Sequence, residues 1–243
     1  SIFIANKSIK PVEAAYNSQK RFIADASHEL KTPLAIINTN IELINSNEED
    51  TIKNQKKWIN YISFQTERMS NLVNNLLYLA KADNNEVLGV ISKFNLSDAI
   101  MSQLLSFEAI MYENNLMLDS DIQNDIEFTG DKESINQVIG ILMDNAIKHS
   151  YEKSSINVEL KERKQKILLS VTNKGDTIPK EDIDKIFDRF YRVDKARARE
   201  KGGYGLGLSI AKSIVEKYKG KVGVTSENNI TTFNIELSNK EKE

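Results

Sequence analysis

Two histidines occur in the 243 residues, and one of them, His28, lies within Ser27-His-Glu-Leu-Lys-Thr-Pro33. A neutral imidazole nitrogen is a competent nucleophile near pH 7, provided that nothing covers its line of approach. Glu29 beside it could orient the ring or hold its proton, and Thr32 lies one turn further along much the same side of a helix. Pro33 removes one backbone hydrogen bond and crowds the carbonyl one turn back, so a bend beside His28 is expected. A surface histidine, a solvated glutamate and a threonine that merely precedes a proline account for the same residues. Spacing alone leaves both readings open.

A second set of residues suits phosphate. Lys201-Gly-Gly-Tyr-Gly-Leu-Gly-Leu-Ser-Ile-Ala211 places a glycine cluster where a helix opens, and free backbone N–H groups there attract an anion. Gly-x-Gly by itself is a weak signal, because loops often contain it. Asn145 carries an uncharged oxygen of the kind Mg²⁺ accepts, and Lys148 lies three residues on, on the same side of a helix. The plain alternative is a polar stripe on a helix whose Val138, Ile141 and Leu142 face a core. Arg189, Arg192, Arg197 and Arg199 lie between Pro179 and Gly202, either as a solvated loop or as a lid that closes on a ligand.

The elements that must carry these groups can be read from periodicity. Phe22, Ala26, Leu30, Leu34, Ile37, Ile41 and Ile44 recur every three or four residues and form one helical stripe. At about 100° per residue His28 falls nearly opposite that stripe and so faces solvent. After the polar break Ser46–Asp50, Trp58, Ile62, Met69, Leu72, Leu76 and Leu79 repeat the spacing, which predicts an antiparallel helical hairpin. One hairpin cannot bury both stripes, so a second copy completing a four-helix bundle is expected. Asp83–Glu86 and Gly89 mark a linker. Beyond it, Leu96–Tyr112 and Ser134–His149 read as helices, while Ser155–Leu160, Lys166–Thr172, Lys221–Ser226 and Thr231–Leu237 read as strands. Helices on one face of a mixed sheet, an α/β sandwich, follow from that content.

Composition narrows the function classes. Basic and acidic side chains number 33 and 35, a net charge of −2, which argues against a dedicated nucleic-acid binder. Cysteine is absent, which excludes disulfides and thiolate metal sites. No apolar run is long enough to span a bilayer, but Ser1–Ala5 followed by Lys7 and Lys10 has the pattern found just inside a membrane. The start of a soluble helix fits those residues equally.

Phe22-Ile-Ala-Asp-Ala-Ser-His-Glu-Leu-Lys-Thr-Pro-Leu34 resembles the phosphoacceptor box of bacterial sensor histidine kinases, and Leu72–Ala80 resembles the second helix of the same dimerisation domain. Gln137–Ser150 resembles the asparagine box of that family's ATP-binding domain, Val171–Pro179 its first glycine box, Ile186–Arg192 its phenylalanine box, and Lys201–Ala211 its second glycine box. The resemblance implies that His28 accepts the γ-phosphoryl of ATP, with Glu29 and Thr32 acting beside it. It implies nucleotide contacts from Asn145, Lys148, His149, Asn173, Gly175, Ile178, Gly203, Gly205, Leu206, Gly207 and Leu208, with Mg²⁺ on Asn145. Two departures stand in the first glycine box, where Asn173 replaces the usual aspartate and Thr177 the usual second glycine. Asn228–Thr232 represents the family's last glycine box poorly and receives no role. Ile141 occupies a position where hydrolytic relatives of the gyrase and chaperone type carry a water-activating glutamate, and isoleucine cannot accept a proton.

The division expected is a membrane-proximal segment over 1–18, a dimerisation and phosphotransfer hairpin over 19–86, and a catalytic ATP-binding domain over 90–243. The partners implied are a second copy of the chain and the receiver domain of a response regulator, in a cytoplasmic portion of a membrane-anchored protein, with no nucleic acid. A nucleotide-binding scaffold and a superfamily ATPase without histidine transfer are the alternatives.

Overall fold

The computed structural model describes residues 2–47, 49–83, 89–194 and 203–238. By its internal contacts the chain divides into two compact units, Ser1–Tyr78 and Leu79–Glu243. Arg197, Arg199, Lys201 and Gly202, most of the expected linker and the side chains of Ser1–Ala5, Lys7 and Lys10 lie outside the described residues. No described helix is long and apolar enough to cross a membrane.

The first unit is built on helix α1 (Ile2–Asn45), which passes through Pro33 without a break. Its inward stripe differs from the one the periodicity suggests. Pro33 and Asn40 are buried, whereas Leu34 and Ile41 are 49% and 42% exposed. Phe22, Ala26, Leu30, Pro33, Ile37, Asn40 and Ile44 therefore form the covered line, at steps of four and three that alternate from Ala26 onward. That seven-residue repeat is what two helices lying side by side require. Helix α1 ends where Asn47 turns its side-chain amide back onto the Leu43 carbonyl at 2.7 Å. Thr51 then accepts the Asn54 N–H at the start of α2 (Ile52–Asp83). Gln55 on α2 donates to the carbonyls of Ile44 and Asn47 at 3.2 and 2.8 Å, which ties the new helix to the end of the old one. Helix α2 buries Gln65, Leu72 and Leu79 and half-buries Trp58, Ile62, Met69 and Leu76, again at steps of four and three.

The second unit contains β1 (Ser92–Asn95), α3 (Leu96–Leu105), α4 (Glu108–Glu113), β2 (Met117–Ile122), β3 (Glu127–Gly130), α5 (Lys132–His149), β4 (Ser155–Arg163) and β5 (Lys166–Lys174), followed by α6 (Gly207–Lys217), β6 (Lys221–Glu227) and β7 (Ile230–Ser238). A five-stranded sheet runs β2-β4-β5-β7-β6, parallel between β2 and β4 and antiparallel elsewhere; β1 and β3 pair separately. Alternation fixes its faces. Ile156, Val158 and Leu160, then Ile167, Leu169 and Val171, then Phe233, Ile235 and Leu237 are buried, and the residues between them are polar except Leu168, which is exposed. A slip of one residue would turn every one of these side chains outward, so the register is strongly specified. Helices α3, α5 and α6 contribute Ile100, Leu104, Ile139, Leu142, Met143, Ile210 and Ile214 to the same core. This is the expected α/β sandwich.

Two details differ from the sequence expectation. The single helix expected over Leu96–Tyr112 is two helices, because Ser106 closes α3: its N–H reaches the Gln103 and Leu104 carbonyls, and its hydroxyl donates to Gln103. The strands β1, β2 and β3 were not expected. Strand β2, Met-Leu-Asp-Ser-Asp-Ile, is an edge strand with β4 as its neighbour, so it has no need of an apolar alternation.

Candidate functional site

His28 is exposed, as its position opposite the stripe requires, while Glu29 is half-buried. The Thr32 hydroxyl donates to the His28 carbonyl at 3.4 Å, and Ser27 does the same to Ile23 at 2.8 Å. These bonds to the preceding turn tether both hydroxyls to their own helix. Imidazole, carboxylate and hydroxyl thus share one turn of a long helix, with the imidazole open to solvent.

In the second unit the candidate residues gather around α5. Asp131 caps that helix by accepting the Ser134 N–H at 3.1 Å, which leaves the last two turns, with Asn145, Lys148 and His149, at the opposite end. Two glycine segments close on those turns. A Cβ on Gly175 would lie 1.9 Å from the His149 carbonyl oxygen, and a Cβ on Gly207 would lie 3.2 Å from the side chain of Ile141. Only glycine allows the approach at position 175. Ile141 is thus packed beneath the glycine loop, and no carboxylate stands there. Gly205 has a φ of 70°, a left-handed backbone suited to glycine, and a Cβ there would meet the Tyr191 carbonyl at 2.6 Å. Among the described residues, nothing lies within 4 Å of where a Cβ on Gly203 would be.

The groups at this end are of the kind that can receive phosphate. Helix α6 begins at Gly207, its N-cap is the buried Leu206, and among the described residues no side-chain cap bond is made there. Asn145 is half-buried, and among the described residues its amide has no hydrogen-bond partner. Lys148 pairs with Asp144 at 2.7 Å; the lysine is half-buried and the aspartate exposed, so solvent weakens the pair. Asn173 is 2% exposed, and its amide also makes no hydrogen bond to a described residue. Its nitrogen lies 3.3 Å from where a Gly175 Cβ would be. Ile178 is half-buried and donates its N–H to the Ser226 hydroxyl at 2.9 Å.

Around the glycine loop, the Phe190 N–H donates to Gly205 O at 2.9 Å, and Phe187 meets Phe233 edge-on at 6.4 Å between ring centres. The Tyr191 hydroxyl donates to Asp182 at 2.5 Å. That bond to a carboxylate, with partial burial and the charges of Asp182, Glu181 and Asp188, holds the phenol protonated up to about 12. Arg189 makes a bidentate ion pair with Asp83, at 2.9 and 2.6 Å. Sequence reasoning missed Ser226 and Asn229, which bond the first glycine segment; the Asn228-Asn229 dipeptide, typical of a tight hairpin, was the available signal.

Comparison with known proteins agrees with this geometry. Residues 18–85 match the His Kinase A (phospho-acceptor) domain, and residues 130–241 match the histidine kinase-, DNA gyrase B- and HSP90-like ATPase domain. The chain is 35% identical over 237 residues to the sensor protein DltS of Streptococcus agalactiae, covering 98% of this chain and 58% of DltS. It is 35% identical over 232 residues to the signal transduction histidine-protein kinase ArlS of Staphylococcus aureus, covering 95% of this chain and 51% of ArlS. The chain thus spans little more than half the length of these relatives. Among solved structures, histidine kinase ThkA in complex with the response regulator TrrA superposes with a TM-score of 0.74 at 27% identity, covering 90% of this chain and 61% of that one. Histidine kinase AdeS of Acinetobacter baumannii shares the fold, with a TM-score of 0.72 at 24% identity over 88% of this chain and 98% of that one. A phosphoacceptor domain with its exposed His28, followed on the same chain by an ATPase domain of the matching type, makes this chain a member of the two-component sensor histidine kinase family.

Proposed function

We propose that this chain uses ATP to phosphorylate its own His28, passes the phosphoryl group to an aspartate of a response-regulator receiver domain, and also assists removal of that group from the regulator. The observation that carries this reading is the exposed imidazole of His28 within a matched phosphoacceptor domain, on the same chain as a matched ATPase domain.

The residues present fit a magnesium nucleotide. The uncapped start of α6 and the backbone at Gly203, Gly205, Gly207 and Leu208 offer N–H groups to the phosphates, with Leu206 buried beneath them. Asn145 has a spare amide oxygen for Mg²⁺, which keeps water and phosphate oxygens in its other positions. Lys148 would exchange Asp144 for phosphate. The backbone around Gly175 and Ile178, the His149 end of α5 and the buried amide of Asn173 would enclose the base. Phosphoryl transfer of this kind depends chiefly on positioning and charge neutralisation, with Mg²⁺ and the N–H groups offsetting phosphate charge. Ile141 leaves no base to activate water, which favours transfer to an external nucleophile over hydrolysis.

The reading includes a homodimer. Leu34, Ile41, Phe64 and Leu77 are exposed apolar side chains on α1 and α2, and a second hairpin would cover such a face. It also keeps the division into 1–18, 19–86 and 90–243, and a longer protein attached to a membrane. Incubation with γ-labelled ATP tests the core of it. Label should appear on the protein in an acid-labile, base-stable form and disappear in His28→Gln while ATP is still bound. Labelling that survives in His28→Gln would mean a different acceptor.

A further inference from the structure

Thr177 and the turn between β6 and β7 received no role above, yet they hold one another by several hydrogen bonds. Glu227 and Ile230 are register partners, so Asn228 and Asn229 alone make the turn, both with left-handed backbones at φ values of 52° and 61°. The Asn229 N–H donates to the Thr177 hydroxyl oxygen at 3.0 Å, and that hydroxyl donates to the Asn229 side-chain oxygen at 3.3 Å. The Gly175 N–H donates to the Asn229 carbonyl at 2.9 Å. One residue further along, the Ile178 N–H ends on Ser226, whose hydroxyl lies 2.8 Å from that of Thr231, the register partner of Asn173.

The segment from Asn173 to Ile178 is therefore gripped from one side by a single hairpin. On its other side the His149 carbonyl blocks any retreat at Gly175, and Tyr151 binds Lys174 and Asp176. We propose that Thr177 and Asn229 are positioning residues for nucleotide binding: their two-way bond clasps the Asn173–Ile178 segment in the shape that receives the nucleotide. A glycine at 177 could shape such a loop by its own backbone freedom. A threonine cannot, and its hydroxyl supplies an external tie instead. This inference rests on the reading of that segment as part of the nucleotide site.

The test uses the full chain with Thr177→Val, Thr177→Ser, Asn229→Gly and the double variant Thr177→Val/Asn229→Gly. Glycine keeps the left-handed turn at 229 and removes the side chain with its oxygen, leaving the backbone N–H that also bonds Thr177. ATP affinity is read by titration, KM and kcat by self-labelling, and folding by the melting temperature. Thr177→Val is expected to raise Kd and KM for ATP about tenfold with kcat within twofold and melting nearly unchanged, and Thr177→Ser to restore both. The double variant should be no worse than Thr177→Val alone, because losing the hydroxyl already removes both bonds, including the one that Asn229→Gly breaks. Unchanged Kd in the single variants, additive losses in the double, or a fall in kcat and melting temperature together with affinity would each overturn the clasp. Asn145→Ala serves as the check on the site itself. If the wild type fails to bind ATP, or if Asn145→Ala binds it unchanged, the nucleotide reading falls and the clasp with it.

Discussion

At the scale of single residues the informative groups are those left open or left unpaired. His28 is exposed and contributes nothing to a core, so His28→Gln should abolish self-labelling while changing ATP affinity by less than about twofold. A parallel loss of ATP binding would mean that the two sites have been confused. Thr32 is also exposed and bonds only weakly to its own helix. Thr32→Ala should therefore preserve self-labelling and slow dephosphorylation of the regulator by about tenfold, the scale of losing one well-placed hydrogen bond; equal loss of both rates would point to helix damage beside Pro33. Asn173 presents a buried neutral amide where the resemblance implies an aspartate. A carboxylate only accepts hydrogen bonds, which suits the adenine amine and rejects the guanine carbonyl, whereas an amide can do either. Asn173→Asp should accordingly raise the preference for ATP over GTP by about tenfold, since charge-assisted bonds are roughly twice as strong as neutral ones. Titrating both nucleotides against both proteins would reveal an unchanged ratio if residue 173 does not face the base.

At the scale of elements, α5 holds the second unit's candidate site together, because both glycine segments press on its last two turns. Its far end depends on Asp131, which accepts the Ser134 N–H, bonds the Ser134 hydroxyl and donates its own N–H to Tyr218 at 2.8 Å. Asp131→Ala should cost about 1–2 kcal/mol, the usual loss for an N-cap, and lower the melting point of the second unit by roughly 2–8 °C. A calorimetric trace that does not move would show that the cap is redundant. Elements of this kind were legible where one period dominated. The two long helices, α5, and β4 to β7 follow from stripes and alternation. The break in α3 was not legible because Ser106 ends the helix by local hydrogen bonds that leave the apolar spacing intact. Strand β2 was not legible because an edge strand can be polar on both sides. Of the site, the glycines and Asn145 could be read from type and order. The partnership of Thr177 with Asn229 could not, since it joins residues 52 positions apart.

At the scale of the molecule, the two compact units have separate cores, one on the helical pair and one beneath the sheet. Two calorimetric transitions are expected, not one. The helical transition should rise with protein concentration, as it does whenever unfolding also separates a dimer, and the other should not. Leu72→Ala should lower only the first and Leu142→Ala only the second, each by about 2–5 kcal/mol for a fully buried leucine. A single transition that both substitutions shift would mean that the units fold as one.

The contact between Ile141 and Gly207 bears on how such a protein spends its idle time. A signalling enzyme waits far longer than it acts, and ATP is plentiful while it waits. On the proposed reading, an apolar side chain beneath Gly207 would let ATP stay bound without being hydrolysed, so readiness would be maintained at almost no running expense. His28→Gln, which can bind ATP but has no acceptor, should therefore release phosphate no faster than the background rate of ATP in buffer.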